Sequence, residues 1–366
     1  MIVIKKKICF IAQFPPPIHG LSKAIDTLYN SKLKDKYEFS SVDITNNKKI
    51  ISNIFKIIKN NADLYYLTIA QTTGGNLRDL IVIKLLLMKK KKIMVHLHGG
   101  YYRTMIDSDC KNIIKNINLK LFKKLNGAIV LGKSLKYIFK DIVAEEKIHV
   151  VENCVDEQYL ISEEKFNLKI KELETKKRLN IVYLSNFIES KGYKDILEIA
   201  KICKDNNVKK FNFIFAGKFY NYEDKNEFND FINENKLQDI VDYRGIVQGN
   251  EKLNMLQHGD VFMLLTRYPK EGQPISIIEG MANGMSVITT NYAGIPDLIE
   301  ENENGYFVDY KEHKEIFKRL LGIERSRDLQ KKLIINNRKK VLNMFTEAKY
   351  INKMDKVFTE VLECES

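Results

Sequence analysis

Twelve short apolar runs, separated by longer stretches of helical periodicity, leave this 366-residue chain few ways to fold. The first series is KICFIAQF, FSSVDI, DLYYLTIA, KIMVHLHG, GAIVLG and KIHVVEN. The second is NIVYLSNF, FNFIFAGKF, IVDYRGIV, VFMLLT, SVITTN and YFVD. Most are continuous rather than alternating, as expected for strands covered on both faces. Two series of β-α units predict an α/β protein with two parallel, doubly wound sheets. The length also suits two domains rather than one core. Helical patterns fall at 21–33 and 76–89, and TEAKYINKMDKVFTEVL at the end reads as one amphipathic helix. The polar stretch 156–178 is the expected linker. No short repeat is present, which excludes solenoids and propellers.

Composition narrows the setting. Five scattered cysteines without a CxxC favour reduced thiols in a cytoplasm over a disulfide framework or zinc site. MIVIKKKICFIAQF reads as a strand interrupted by lysines, not as a signal peptide. No segment approaches the roughly 20 apolar residues needed to span a bilayer. The net charge of +13 is uneven: residues 1–150 carry 27 Lys and Arg against 11 Asp and Glu, and the remainder carries 33 against 36. A field concentrated in the front half suits an anionic partner, whether nucleic acid, an acidic membrane or a phosphorylated substrate. Lysine used only as a solubiliser explains the same numbers.

Ligands of open α/β sheets gather at the carboxyl ends of strands. Glu271 follows the run VFMLLT and so lies near such an edge. Pro274 suits the first position of a helix, which leaves the amides of Ile275, Ser276 and Ile277 to face an anion. Gly272 permits close backbone approach, and a second carboxylate, Glu279, stands eight positions after Glu271. An ordinary surface helix with an acidic first turn has the same spacing. In FPPPIHGLSKAI, Gly20 would let backbone approach a phosphate and Ser22 would cap the helix, although such turns are common in purely structural roles. In HLHGG, His96 and His98 share a strand face. His96 reads best as a buried structural histidine and His98 as a residue at the strand's carboxyl end. Gly99 and Gly100 supply bare backbone beside it. DSD at 107–109 precedes a helix rather than following a strand, so capping explains it better than metal binding. No GxxxxGK[ST] or GxGxxG motif is present.

EGQPISIIEGMANG resembles the E-x7-E signature of glycosyltransferase family 4, whose members are retaining enzymes of the GT-B fold. SVITTNYAGIPDLIEENENGYFV, IVYLSNFIESKGYKDIL and VDYRGIV resemble that family's other motifs, in order, across about 180–310. The resemblance implies two Rossmann-like domains facing across a cleft. Residues 1–170 would bind the acceptor and 171–345 the nucleotide sugar, with a helix at 346–366 packing back on the first domain. It implies that Glu279 holds the ribose, Glu271 contacts sugar hydroxyls, and amides from Gln273 to Ser276 face sugar and phosphate. Lys191 would neutralise the diphosphate. Asn186 stands where the family usually has an arginine, which leaves Arg244 or an N-domain lysine to compensate. Val247 would flank the base, Gly20 would lie by the diphosphate, and His98 would position the sugar. The catalytic set is thus His98, Glu271 and Lys191.

The implied activity moves a hexose or related sugar, without a metal or other cofactor, from a UDP- or GDP-sugar to a glycan. The expected setting is bacterial surface polysaccharide or capsule assembly, in the cytoplasm or peripherally on the inner membrane face. The basic front half favours a polyprenyl-diphosphate-linked acceptor at an anionic membrane. Two segments carry that expectation: LRDLIVIKLLLMKKKK (77–92), with Lys89 to Lys92, and the helix over 111–125. On the latter, Phe122 falls between Lys111 and Lys115 rather than with Ile113, Ile117 and Leu121. A sugar-nucleotide epimerase or a phosphorylase shares the fold and stays open. Nucleic-acid binding is disfavoured by the lack of any binding motif or stacking-aromatic pattern.

Overall fold

The computed structural model describes residues 5–16 and 20–364 and contains two six-stranded sheets. The chain divides into two compact units. Unit 1 comprises Met1–Cys154, Lys270–Gln273 and Glu347–Ser366; unit 2 comprises Val155–Pro269 and Pro274–Thr346.

Unit 1 is built on β1 (Lys7–Ala12), β2 (Glu38–Asp43), β3 (Leu64–Thr68), β4 (Lys92–His96), β5 (Gly127–Val130) and β6 (Ile148–Val150). Each lies on one of the six predicted runs. The order is β2-β1-β3-β4-β5-β6 and every pair is parallel. All of β3 is buried, as covered strands require. The helices are α1 (Gly20–Tyr29), α2 (Ile50–Lys59), α3 (Thr73–Met88), the short α4 (Tyr102–Thr104) and α5 (Asn112–Phe122). Crossovers between parallel strands are right-handed. The reversal at β1 therefore puts α1 on one face of the sheet and α2, α3 and α5 on the other. The terminal α13 (Glu347–Glu363) joins the α1 face. There Tyr350, Met354, Val357, Phe358 and Val361 share a core with Ile8, Phe10, Ile25, Leu28 and Tyr66. The predicted return of the last helix to the first domain is thus observed.

Unit 2 repeats the plan with β7 (Leu179–Leu184), β8 (Phe211–Ala216), β9 (Val241–Tyr243), β10 (Val261–Leu264), β11 (Ser286–Thr289) and β12 (Gly305–Phe307). Its order is β12-β11-β10-β7-β8-β9, again parallel. The helices are α6 (Glu163–Glu172), α7 (Tyr193–Asp205), α8 (Tyr222–Glu234), α9 (Gly249–His258), α10 (Ile275–Ala282), α11 (His313–Arg325) and α12 (Arg327–Met344).

Several local expectations are corrected. The division falls at Cys154 and Val155 rather than at 170, and 156–178 is not a bare linker. α6 sits inside it, buries Phe166, and donates from Lys169 to the carbonyls of Gly259 and Asn283. These contacts tie the stretch to unit 2. Ser22 lies buried inside the first turn of α1 rather than capping it. DSD caps nothing: 105–109 forms a π-turn, and Asp107 pairs with Arg103 at 2.6 Å and Lys115 at 2.7 Å.

Phe122 is fully buried, whereas Ile113 and Ile117 face solvent. The cause is Asn118, one turn before Phe122. Asn118 accepts from Asn76 at 3.0 Å and from the Tyr102 hydroxyl at 2.7 Å, and returns a bond to Asn76. A buried amide must keep its partners, so this network rotates α5 against its own hydrophobic periodicity. Phe122 then packs on Tyr102, with ring centroids 5.4 Å apart.

Candidate functional site

In each sheet the strand order reverses once, and the carboxyl ends beside that reversal are where such folds take ligands. In unit 2 the reversal lies between β7 and β10. The chain leaving β7 reaches a short turn, Glu189–Lys191, and then Gly192 with φ +83°. A Cβ there would stand 2.5 Å from the Leu265 carbonyl oxygen, just past β10. Only glycine fits this left-handed, crowded position. The Arg267 amide donates to Ser190 O at 2.7 Å, joining the two strand exits. The Lys191 ammonium lies 4.8 Å from the Tyr268 ring centroid. Arg267 pairs with Asp195 at 2.9 Å and stacks 4.0 Å from the Tyr310 ring centroid. Two cations therefore flank the switch point, of which the sequence had indicated only Lys191.

The helix α10 begins at Ile275, one residue later than predicted, with Pro274 as its N-cap and no side chain capping it. Its first amides, at Ile275, Ser276 and Ile277, make the anion-facing end that the Pro implied. One turn on, Glu279 is buried, and Lys252 of α9 donates to its Oε1 at 2.6 Å. The same ammonium lies 4.2 Å from the Tyr159 ring centroid. Asn283 binds the Tyr159 carbonyl at 2.6 Å and the Glu279 carbonyl at 2.9 Å. The Tyr159 hydroxyl accepts from the Gly249 amide at 3.2 Å. Burial raises the Glu279 carboxyl above the ordinary carboxylate range, Lys252 draws it down, and Asp156 adds to the rise. Sequence reasoning missed Lys252, Tyr159 and Asn283. Lys252 is marked in sequence only as a lysine in the first turn of a helix, 27 positions from its partner.

The remaining residues of this set lie apart. Asn186 is exposed and donates to the Tyr220 hydroxyl at 3.1 Å. Arg244 is exposed on the edge of the sheet and bound to Asp242 at 2.6 Å. Val247 is buried, and lines a depression with Ile214, Met255 and Arg244.

The unit 1 set converges on the carboxyl end of β4. His96 is buried with its Nδ1 2.6 Å from the Tyr66 hydroxyl. Burial holds its imidazole well below the ordinary histidine range, and His98 adds to that. His98 is half-buried, its ring centroid 3.9 Å from that of His96. Glu271, Gly272 and Gln273 pack beside this loop. A Cβ on Gly272 would meet Gly99 Cα, His98 O and Leu131, each at 3.0 Å. A Cβ on Gly99 would fall 1.9 Å from the Gln71 amide nitrogen. A side chain at Gly99 would thus have to displace the Gln71 amide, whose Oε1 accepts from the Tyr101 amide at 2.7 Å. Gln273 Oε1 accepts from the Asn153 amide at 2.9 Å, and its carbonyl from Asn153 Nδ2 at 2.8 Å. Its Nε2 and the Asn153 Oδ1 are buried without a hydrogen-bond partner. Gly20 opens α1 after β1, while residues 17–19 of the same loop lie outside the described residues. Among the described residues, no group of His, Cys, Asp and Glu side chains is arranged to hold a metal ion.

Residues 164–340 match the family model for glycosyl transferases group 1. The matched span contains Lys191, Lys252, Glu271 and Glu279. The chain is also similar to the putative colanic acid biosynthesis glycosyltransferase WcaL of Salmonella typhimurium, at 26% identity over 46% of this chain and 42% of that protein. The amylovoran biosynthesis glycosyltransferase AmsK of Erwinia amylovora is 30% identical over 40% of this chain and 36% of that one. The chain therefore spans well under half the length of these relatives. In three dimensions it is similar to HepE of Anabaena, solved in complex with UDP-glucose. The TM-score is 0.73 at 14% identity, covering 96% of this chain and 99% of that one. With two parallel six-stranded sheets, the fold is GT-B.

Proposed function

We propose that the chain is a retaining glycosyltransferase that moves a hexose or related sugar from a UDP- or GDP-sugar to a glycan. The reading is carried by one observation. The unit matched by the group 1 model has a buried carboxylate, Glu279, one turn inside an uncapped helix N-terminus, and it has cations at its switch point. A carboxylate so placed accepts well from the vicinal hydroxyls of a ribose, while helix amides take phosphate oxygens. Lys191, with Arg267 near it, would take the charge that builds on the leaving diphosphate. Such preorganised charge stabilisation is the main catalytic contribution. In the front-face route, the acceptor oxygen bonds to the anomeric carbon as the phosphate oxygen leaves from the same face. That phosphate oxygen takes the acceptor's proton.

His98 and Glu271 would hold hydroxyls of the sugar. The buried Gln273 Nε2 and Asn153 Oδ1, which lack protein partners, support a hydroxyl-bearing ligand close by. The acceptor we propose is a polyprenyl-diphosphate-linked glycan in bacterial surface polysaccharide assembly, on the inner face of the cell membrane. The names of the colanic acid and amylovoran relatives support that setting.

Calorimetry with UDP and GDP tests the donor assignment. Glu279→Gln should weaken binding of the preferred nucleotide by about 1–3 kcal/mol, as for loss of a hydrogen bond to a charged group. Unchanged affinity would remove Glu279 from the site. Conversion of the nucleotide sugar without any acceptor would replace transfer by epimerisation.

A further inference from the structure

We propose that the outer surface of α2, α3 and α5 seats the protein on an anionic lipid bilayer. Half of the large apolar side chains left exposed among the described residues lie on these three helices. On α2, Ile51 (69% exposed), Phe55 (60%) and Ile58 repeat at i, i+4 and i+7. On α3, Leu77, Ile81 and Met88 (72%) follow the same stripe, and on α5, Ile113 (68%) and Ile117. The helices are neighbours, since α3 packs against both α2 and α5 on one face of the sheet. Each buries its other side, so the apolar stripes are surplus to the core. α2 is the extreme case: of its ten residues only Asn53 and Ile57 are buried. Apolar side chains left exposed together on neighbouring helices mark an interaction site.

Charge chooses the partner. Residues 47–60, 73–92 and 111–124 contain fifteen Lys and Arg and one acidic residue, Asp79. Asp79 is buried on Arg78, so no carboxylate of these stretches faces outward. Lysines interrupt the apolar stripes themselves: Lys84 falls between Ile81 and Met88, and Lys56 follows Phe55. A protein interface depletes charge from its apolar centre. A bilayer interface accepts this mixture, because aliphatic groups enter the acyl boundary while lysine stems carry ammonium groups up to lipid phosphates. The side chains are aliphatic and aromatics are almost absent, which argues against single-stranded nucleic acid.

The structure also moves the surface from where the sequence had put it. Phe122 is in the core. Lys89 donates to the Ile58 carbonyl, Lys91 to Asn61 at 2.6 Å, and Lys92 to the carbonyls of Leu362 and Cys364. These lysines are partly engaged within the protein, so Lys49, Lys56 and Lys84 are the better probes. The surface stands on its own observations and does not depend on glycosyl transfer, although a lipid-linked acceptor would be presented there.

Co-sedimentation of the full chain with vesicles of phosphatidylcholine, alone or with about one-third phosphatidylglycerol, tests it. Wild-type protein should pellet with the anionic vesicles and be released as salt rises. The triple variant Ile51→Ser, Phe55→Ser, Met88→Ser should lose at least tenfold in partition. The variant Lys49→Gln, Lys56→Gln, Lys84→Gln should bind more weakly and with a flatter salt dependence. Ile335→Ser with Leu342→Ser, exposed apolar positions on α12, should change nothing. Nucleotide binding by calorimetry should be equal in all of them, which certifies folding and reads the donor site separately. Two results overturn the proposal: wild-type protein that ignores anionic vesicles at low salt, or a solution dimer that the triple variant makes monomeric.

Discussion

Burial pulls the Glu279 carboxyl toward its neutral form, and Lys252, 2.6 Å away, pulls it back toward the charged one. Of the groups facing it, Lys252 on α9 alone favours the carboxylate; Asp156 opposes it, and Tyr159 holds the ammonium in place. Lys252→Met should therefore lift the carboxyl further. A group raised in the folded state takes its proton at higher pH, and protonated Glu279 loses its charge-assisted bonds to a ribose. The variant should bind nucleoside diphosphate more weakly than wild type at the acid end of a pH series and recover as pH rises. Wild type should be flatter, and Lys252→Arg should restore most of the flatness. A titration series by calorimetry decides this, and an equal loss at every pH would make Lys252 merely structural. Glu279 was legible in the sequence because E-x7-E is a local spacing. Its partner was not, because a contact between two helices leaves no mark on either one's periodicity.

Elements were read more easily than their orientation. All twelve strands fall on the predicted runs. Inner strands such as β5 and β10 are apolar throughout because both faces are covered, whereas the edge strand β2 is mostly left unburied. The face that α5 buries was read backwards, because Asn118 pulls a polar side inward through Asn76 and Tyr102. No hydrophobic pattern encodes such a network. The turn after β7 was legible as KG and gives a sharp test. Gly192→Ala must place a side chain at φ +83° and against the Leu265 carbonyl. It should cost about 1–3 kcal/mol, read as a lower midpoint in thermal unfolding, and weaken nucleotide binding through Lys191. Gly322, inside α11, has open space where a Cβ would go. Gly322→Ala should be neutral or stabilise by about 1 kcal/mol.

Across the whole chain, the front-half charge excess maps largely to the three basic helical stretches of unit 1, and the proposed donor nucleotide groups lie in unit 2. Phosphate charge there is proposed to be met by Lys191, Arg267 and helix amides, so transfer should survive EDTA. Loss on chelation, restored by manganese, would show a metal requirement that these cations do not replace. One feature of unit 1 bears on its birth. Its core is completed by Tyr350, Met354, Val357, Phe358 and Val361, from the last helix of the chain. At about 5–20 residues per second, a ribosome needs roughly 10–40 s to make the intervening unit 2. Throughout that time Ile8, Phe10, Tyr66 and Met94 lack their cover. Most of unit 1 thus precedes unit 2 in the chain, while its core is completed only after unit 2. A chain ended at residue 346 should bind a hydrophobic dye or precipitate, although all of unit 2 is present. Completion of the unit 1 core therefore waits on the helix at Glu347–Glu363, which follows all of unit 2 in the chain.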